Sequence, residues 1–422
     1  MKVIVVGGGI GGLSLALSLH QIGFEPHVFE SAPAFQFLGL GINVQPHAVR
    51  ELTELGLGEP LARHSIATAE LAYFNKHGQL VWSEARGVAA GYRWPQHSIS
   101  RGELQHLLLD AAQARLGHDR IRTGHHLAAF EPRGDGVVAR FVDRASGRDV
   151  ATVEGDLLVG ADGIHSAVRH TFSPQEALHY EGVVNYRGVS AAPPYLSGAT
   201  MVIAGHRDQR FVAYPIRRLA DGNCLINWIC VARSDDPMLP LEEWGVRADK
   251  APILKQYATW TFPWLDIPAL VERTEDVFVF PDVDRDPLPQ WSYGRVTMVG
   301  DAAHPMLPVG AQAGSQAIVD GRVLAAALLR FADPAEALRH YQRERMDAMN
   351  GMILRNRRLG PETVMQLAEE RAPDGFTDIA AVLSKDELDD AAISFKRAAG
   401  FDVDTVNTRP SYLPPTAGWP AH

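Results

Sequence analysis

Cysteine is almost missing from this chain: the 422 residues hold two, Cys224 and Cys230. Two thiols cannot build a disulfide framework or a Cys-rich zinc site, which points to a reducing, cytoplasmic setting. Positive charge is also in deficit, with 40 Lys and Arg against 50 Asp and Glu, a net charge of −10. Nucleic acids and anionic membranes call for clustered positive charge, so neither is an expected partner. An anionic small molecule needs only one or two local arginines and is not excluded. No uninterrupted apolar run approaches the ~20 residues of a membrane-spanning helix. The start, MKVIVVGGGIGGLSLALSL, has the lysine and apolar stretch of a signal peptide but no small-residue cleavage site after it. Metal-site patterns are absent too: there is no H-E-x-x-H, no C-x-x-C, and His125-His126 lacks partners at ligand spacing. No metal is expected.

What is present is an ordinary globular composition, 46% hydrophobic and 21% charged, long enough for about two or three domain-sized units. KVIVV, residues 2–6, is a short β-branched run of the kind that forms a strand buried on both faces. GGLSLALSLHQIG reads as a helix closed by Gly23, and PHVFE as a second strand, which completes a βαβ unit. Gly7, Gly9 and Gly12 fit G-x-G-x-x-G at the strand-to-helix turn. In that motif the first glycine turns the chain, the second admits a pyrophosphate, and the third lets helix and strand pack closely. The helix N-terminus then offers partial positive charge to the phosphates. Glu30 ends the second strand, where a carboxylate can accept from a ribose 2′-hydroxyl. This agreement of strand, helix and acid predicts a dinucleotide site but does not separate NAD from FAD.

A second strand–Gly-Asp–helix turn, GDAAHPMLPVGAQAGSQAI at 300–318, decides between them. NAD has no use for a further distant aspartate. FAD carries a ribityl chain and a three-ring system beyond the pyrophosphate, and an aspartate at a strand end suits the ribityl hydroxyls. A helix N-terminus after it favours negative charge on the ring. Between the two turns, GDLLVGADGIHSAVRH is again strand, turn and helix. HSISRGELQHLLLDAAQARLG reads as a helix capped by Ser100, with Glu103 completing a capping box. Residues 176–275 alternate in strand-like pieces separated by turn signals, which predicts an antiparallel sheet over a pocket, and a hairpin near 73–99 can join it.

The ordered set GGGIGG…E, GADGIHSAVR and GDAAHPMLPVGAQAGSQ resembles the single-component FAD-dependent aromatic hydroxylases with the p-hydroxybenzoate hydroxylase fold. The resemblance covers about residues 1–345. GLGINVQPHAVRELTELGLGE, YRGV and VDRDPLPQW look closest to the phenazine-type branch, with salicylate and 3-hydroxybenzoate hydroxylases as cousins. It implies an α/β chain with a Rossmann-like FAD-binding domain (1–72, 100–175 and 276–345). A mostly antiparallel substrate domain (73–99 and 176–275) would be inserted in it, with a C-terminal helical segment and Pro-rich tail at 346–422. It implies that Asp301 binds the ribityl chain, Pro308 sits beside the flavin, and amides near Gly314 and Ser315 face the ring. Arg101 would contact FAD near the ribityl–pyrophosphate region. Gly160, Asp162 and Gly163 would serve both FAD and NAD(P)H, with Arg169 anchoring their turn. Two departures stand out: Ser31 replaces a common basic residue, and Ala313-Gly314 stands where relatives place glycine earlier.

The implied reaction uses NAD(P)H and O₂ to hydroxylate an aromatic small molecule through a flavin C4a-hydroperoxide in a dry site. The same fold also supports Baeyer–Villiger oxidation, epoxidation or oxidative decarboxylation, and a flavin-loaded binding protein without turnover is a third reading. Tyr214, Asn227 and Arg187 lie on expected pocket strands and are the candidates for substrate contact, each equally readable as a sheet residue. His304 reads as loop support, and Arg285 with Asp286 as a structural ion pair. A monomer or homodimer is expected.

Overall fold

The computed structural model describes residues 1–37, 39–234, 245–388 and 401–415. Its first core is a parallel sheet of five strands in the order Val296–Met298, Leu157–Gly160, Lys2–Val6, Glu25–Phe29, Ile121–Arg122. The apolar run read at 2–6 is its central strand, and Val3, Ile4 and Val5 are wholly buried. Helix Ile10–Gln21 is apolar nearly all round and is enclosed by helices Arg101–Leu116 and Ala313–Arg330. Close approach needs a missing side chain: a Cβ on Gly321 would lie 2.9 Å from the Cα of Leu15. Gly23 follows the first helix at φ +81° and its amide returns to the His20 carbonyl, as a closing glycine should. Ser100 caps Arg101–Leu116 by accepting from the Glu103 amide. The expected reciprocal half is replaced, because the Glu103 carboxylate pairs with His64 at 2.6 Å.

The second core is an eight-stranded sheet ordered Val246–Arg247, Phe278–Asp284, His179–Ala192, Cys224–Arg233, Gln209–Arg218, Thr200–His206, Glu70–Phe74, Leu80–Ala85. Every pairing is antiparallel except Thr200–His206 with Glu70–Phe74. The sheet therefore draws on residues before 73 and after 275, because Glu70–Phe74 and Phe278–Asp284 complete its pairing. Its two faces separate by the alternation of the strands. Phe211, Ala213, Ile226, Trp228 and Cys230 fill an apolar cluster on one side. Arg210, Val212 and Tyr214 point to the other, with Asn227 directly opposite Tyr214 and Arg187 opposite Ile229. That second face meets Gly41 through Asn227 and Arg187, and faces Leu307 and Val309 across a cavity.

A three-stranded ribbon, ordered Gly41–Val44, Gln96–Ser100, Ile66–Thr68, lies between the two cores. The hairpin expected near 73–99 thus divides: Leu80–Ala85 joins the large sheet and Gln96–Ser100 joins the ribbon. The C-terminal helix Pro334–Asn356 is capped by Asp333 and leads through a turn to Thr363–Arg371. Val364, Met365 and Ala368 from the latter pack on Tyr73 and Val212. Of the expected Pro-rich tail, residues 416–422 lie outside the described residues; before them Arg409 stacks on Tyr412 and pairs with Glu51. Among the described residues no helix is long and apolar enough to cross a membrane.

Candidate active site

All three glycine turns leave the same edge of the parallel sheet, the carboxyl ends of Lys2–Val6, Leu157–Gly160 and Val296–Met298. Open α/β sheets bind their ligands at that edge. Gly7 has φ +106°, and a Cβ there would strike the Ala161 carbonyl of the middle turn; one on Gly12 would strike the Gly7 carbonyl. These two glycines hold protein against protein. Gly9 differs, since a Cβ on it would meet nothing within 4 Å. It stands at the N-terminus of Ile10–Gln21, which has no side-chain cap. The first-turn amides there are left without a side-chain acceptor.

The Glu30 carboxylate accepts from the amides of Gly8 and Ala32, both at 2.8 Å, with Ser31 Oγ at 3.3 Å. Oε1 takes two of these bonds, from Ala32 and Ser31, whereas Oε2 takes one and keeps a second lone pair for a hydroxyl donor. In the middle turn Asp162 Oδ2 accepts from the amides of Ala167 and Val168, while its Oδ1 is buried with no hydrogen-bond partner among the described residues. Burial raises the Asp162 carboxyl, opposed by its hydrogen bonds. Arg169 does more than anchor that turn. Its Nη1 donates to the carbonyls of Ala302 and Ala303, and its Nη2 to Asp286 O and the Glu176 carboxylate. The middle turn is thereby tied to the downstream Gly-Asp turn.

In that downstream turn Gly300 sits at φ +59° and Asp301 follows, half-buried. The Asp301 carboxylate takes no hydrogen bond from a described residue. Burial lifts its proton affinity, against the pull of His304 and Arg101. Arg101 starts its helix with an exposed side chain on this side, its amide bound to the Leu40 carbonyl. Beneath the turn lies a group that sequence reasoning passed over. Asp320 Oδ2 accepts from the Gly300 amide at 2.9 Å and pairs with His304 Nε2 at 2.6 Å, and its Oδ1 accepts from Arg345 Nε at 2.7 Å. Although burial pushes it up, His304 and Arg345 hold the Asp320 carboxyl down at about 2. His304 is wholly buried in this network.

Pro308 is exposed and opens the short turn Val309–Ala311. The left-handed positions fall on Gly310 (φ 72°) and Ala311 (φ 53°), so the conformational strain sits at Ala311, while Ala313 and Gly314 are helical. Helix Ala313–Arg330 has no side-chain cap, which leaves its first-turn amides available. The Ser315 hydroxyl is engaged elsewhere, accepting from the Gln45 amide at 3.0 Å.

Tyr214, Asn227 and Arg187 do come together, and they meet on Gly41. Asn227 Oδ1 accepts from the Gly41 amide at 2.7 Å, and Arg187 Nη2 donates to the Gly41 carbonyl at 3.0 Å. The Tyr214 ring lies so close that a Cβ on Gly41 would be 2.7 Å from it. Their shared contact is thus a ribbon strand. Arg285 and Asp286 do not pair with each other: Arg285 Nε donates to the Ile164 carbonyl, and Asp286 binds Arg357 at 2.8 Å. Each is nearer a partner from another segment, which sequence adjacency concealed.

A cavity of about 340 Å³ opens between the large sheet and the Pro308 turn. Arg210 and Asp282 line it from the sheet, Leu307 and Val309 from the turn, and Asn356 and Leu359 from the C-terminal helix and the turn after it. Arg210 is bridged to Glu362 at 2.7 Å with both side chains buried. Burial pushes the Asp282 carboxyl up to about 7, opposed by Arg210 and by a hydrogen bond from Asn185. Neither Arg210 nor Asp282 was selected from the sequence. The two-residue alternation of Phe280, Asp282 and Asp284 is the signal that places an acid on the cavity face.

These features fit FAD: open space at Gly9, two uncapped helix starts, and a carboxylate at Asp301 with its acceptors free. Residues 1–355 match the FAD_binding_3 family model, described as an FAD binding domain. The chain is 42% identical over 361 residues to phenazine 1,6-dicarboxylic acid hydroxylase PhzS of Lysobacter antibioticus, covering 84% of this chain and 89% of that one. It is 31% identical to 3-hydroxybenzoate 6-hydroxylase of Polaromonas naphthalenivorans, covering 85% and 87%. Among solved structures, a variant of Klebsiella pneumoniae HpxO complexed with FAD superposes with a TM-score of 0.73 at 26% identity, covering 88% of this chain and 93% of that one. The sheet edge, the open glycine and the relatives agree: this chain belongs to the FAD-dependent aromatic hydroxylases and is an NAD(P)H-using flavoprotein monooxygenase.

Proposed function

We propose that the chain inserts one oxygen atom from O₂ into a fused-ring aromatic substrate of phenazine or quinoline size, bound in the 340 Å³ cavity. That volume lies at the small end of the range for ligand sites, which suits two or three fused rings with few substituents. The observation that carries the reading is the cavity's position: Leu307 and Val309 flank Pro308, so the substrate space and the flavin turn share a wall. The likeness to the phenazine dicarboxylic acid hydroxylase supports the size of the ring system.

The redox chemistry is FAD's, as hydride acceptor from NAD(P)H and activator of O₂. The chain's part is to seat and enclose. Glu30 holds the adenosine ribose, the amides after Gly9 the pyrophosphate, and Asp301 with Arg101 the ribityl region. Asp162 lies where the middle turn meets both nucleotides, and the amides of Gly314 and Ser315 stabilise negative charge at the ring edge. Arg187, Tyr214 and Asn227 position the ribbon strand through Gly41. The apolar Leu307 and Val309 keep water from the reacting face. We place the enzyme in the cytoplasm as a monomer or homodimer.

The test is purified chain with FAD, assayed for NAD(P)H oxidation with phenazine-1,6-dicarboxylate, 4-hydroxyquinoline and 3-hydroxybenzoate, followed by product mass. The expected result is stimulation that is strongest with a fused-ring member, and a product heavier by one oxygen. Stimulation by the single-ring acid alone overturns the size assignment. A product of ring expansion or lost carboxylate moves the enzyme to another oxygen-transfer outcome. No stimulation by any of them overturns the proposal.

A further inference from the structure

Asp282 has no part in seating FAD, yet it stands in the cavity wall at 4% exposure. A buried carboxylate is normally neutralised by a close cation. Here the nearest cation is shared: the Arg210 guanidinium attracts Asp282 but is bridged to Glu362. Asn185 supplies a hydrogen bond from the neighbouring strand, whereas Glu181 and Glu362 add negative field. The cations at the cavity mouth are also engaged, Arg207 with Glu181 and Arg233 with Asp208 at 3.6 Å. The Pro308 turn contributes only apolar groups, Leu307 and Val309, and the C-terminal helix contributes Asn356. Asp282 thus faces the substrate space incompletely compensated.

We propose that Asp282 is a catalytic residue that accepts the hydroxyl proton of an aromatic substrate that already carries one hydroxyl. The inference rests on the aromatic-hydroxylase reading above. In this step the substrate O–H bond breaks and an O–H bond forms on the Asp282 carboxylate. The electron pair stays on the substrate oxygen and is shared into the ring, enriching the ortho and para carbons that an electrophilic oxygen attacks. No electron leaves the substrate in the step, so it needs no oxidant. Arg210 is a positioning residue: it stabilises the oxyanion, and Glu362 holds it in place. A carboxyl whose proton affinity is raised toward neutrality is better matched to a phenol than an ordinary aspartate is.

The experiment uses full-length holoenzyme and two hydroxyl-bearing probes, 1-hydroxyphenazine and 3-hydroxybenzoate, with phenazine-1,6-dicarboxylate, which has no hydroxyl, as the control. Wild-type turnover of at least one probe is expected to rise with pH as the Asp282 carboxyl gives up its proton. Asp282→Asn is expected to turn that probe over about a hundredfold more slowly, the scale of general-base catalysis, and to lose the rise. That deficit should close as pH passes the probe's own pKa, because the substrate then arrives without the proton. A rise unchanged in the variant, a deficit that persists at high pH, or turnover of the control alone overturns the role of Asp282. Failure of both probes and the control to bind either protein overturns the aromatic reading beneath it.

Discussion

The amide of Gly41 donates a 2.7 Å hydrogen bond to Oδ1 of Asn227, joining the ribbon to a strand of the large sheet across 186 positions of sequence. Asn227 is wholly buried, so this bond replaces water for a backbone donor that has no access to solvent. Asn227→Ala should cost about 1–3 kcal/mol, the desolvation penalty of an abandoned buried donor. Thermal unfolding of the apoprotein reads the stability loss. Flavin occupancy should fall with it, because the same strand leads to Gln45 and the Ser315 hydroxyl.

Gly9 and Gly12 belong to one motif but should fail differently. Gly12→Ala drives a methyl into the Gly7 carbonyl and should destabilise the apoprotein by about 1–3 kcal/mol, as overpacking does. Gly9 has φ −73°, which alanine tolerates, and its Cβ would meet no protein atom. Gly9→Ala should therefore leave apoprotein stability within about 0.5 kcal/mol of wild type and weaken FAD binding at least tenfold. Calorimetry of the apoprotein and a fluorescence titration with FAD separate the two.

Asp301 should behave as a residue kept at the expense of the empty fold. Its folded carboxyl is raised by burial from the ordinary 3.8, so ionising it within the fold is unfavourable. The penalty is present above the raised value and absent below 3.8, where folded and unfolded chains both hold the proton. Asp301→Asn is expected to leave the apoprotein melting temperature at pH 8 unchanged or higher. FAD affinity should fall about tenfold, equivalent to about 1.4 kcal/mol. A variant that is less stable without FAD would contradict the assignment.

Asp320 has the opposite sign. Its carboxyl is held at about 2 against an ordinary 3.8, so its stabilisation is complete above 3.8 and disappears as pH falls through 2. Asp320→Asn should remove about 2 kcal/mol at pH 7, from the size of the shift. The difference between wild type and variant should shrink as pH falls from 3.8 and vanish only below 2. Acid titration of stability in urea measures both limits.

The parallel half of the molecule was readable from the sequence because its signals are local. A β-branched run, three glycines and an acid fall within thirty residues, and each turn carries its own punctuation. What depended on distant pairing was not readable. Gly41 lay inside a quoted motif without showing that Arg187, Tyr214 and Asn227 converge on it, since strand register sets that meeting. Asp282 sits three residues before Arg285, but only the order of strands places it on the cavity wall. Glu103 and Asp286 were matched with sequence neighbours and took partners from other elements, His64 and Arg357. Charged side chains choose by distance in space, and proximity along the chain is a poor guide to it.

The strand Gln209–Arg218 holds Arg210 near one end and Tyr214 four residues further along. The first shapes the hollow for a ligand; the second braces Gly41, whose ribbon is fastened to the flavin turn. Retargeting the enzyme therefore has a geographical limit. Exchanges at the apolar wall residues Val183 and Leu359 reshape what is admitted and leave Arg210 and Asp282 in place, whereas exchanges at 187, 214 or 227 move the seat of the prosthetic group as well. A library confined to the first set should recover new selectivity among yellow, folded variants, and one drawn from the second should be dominated by colourless protein.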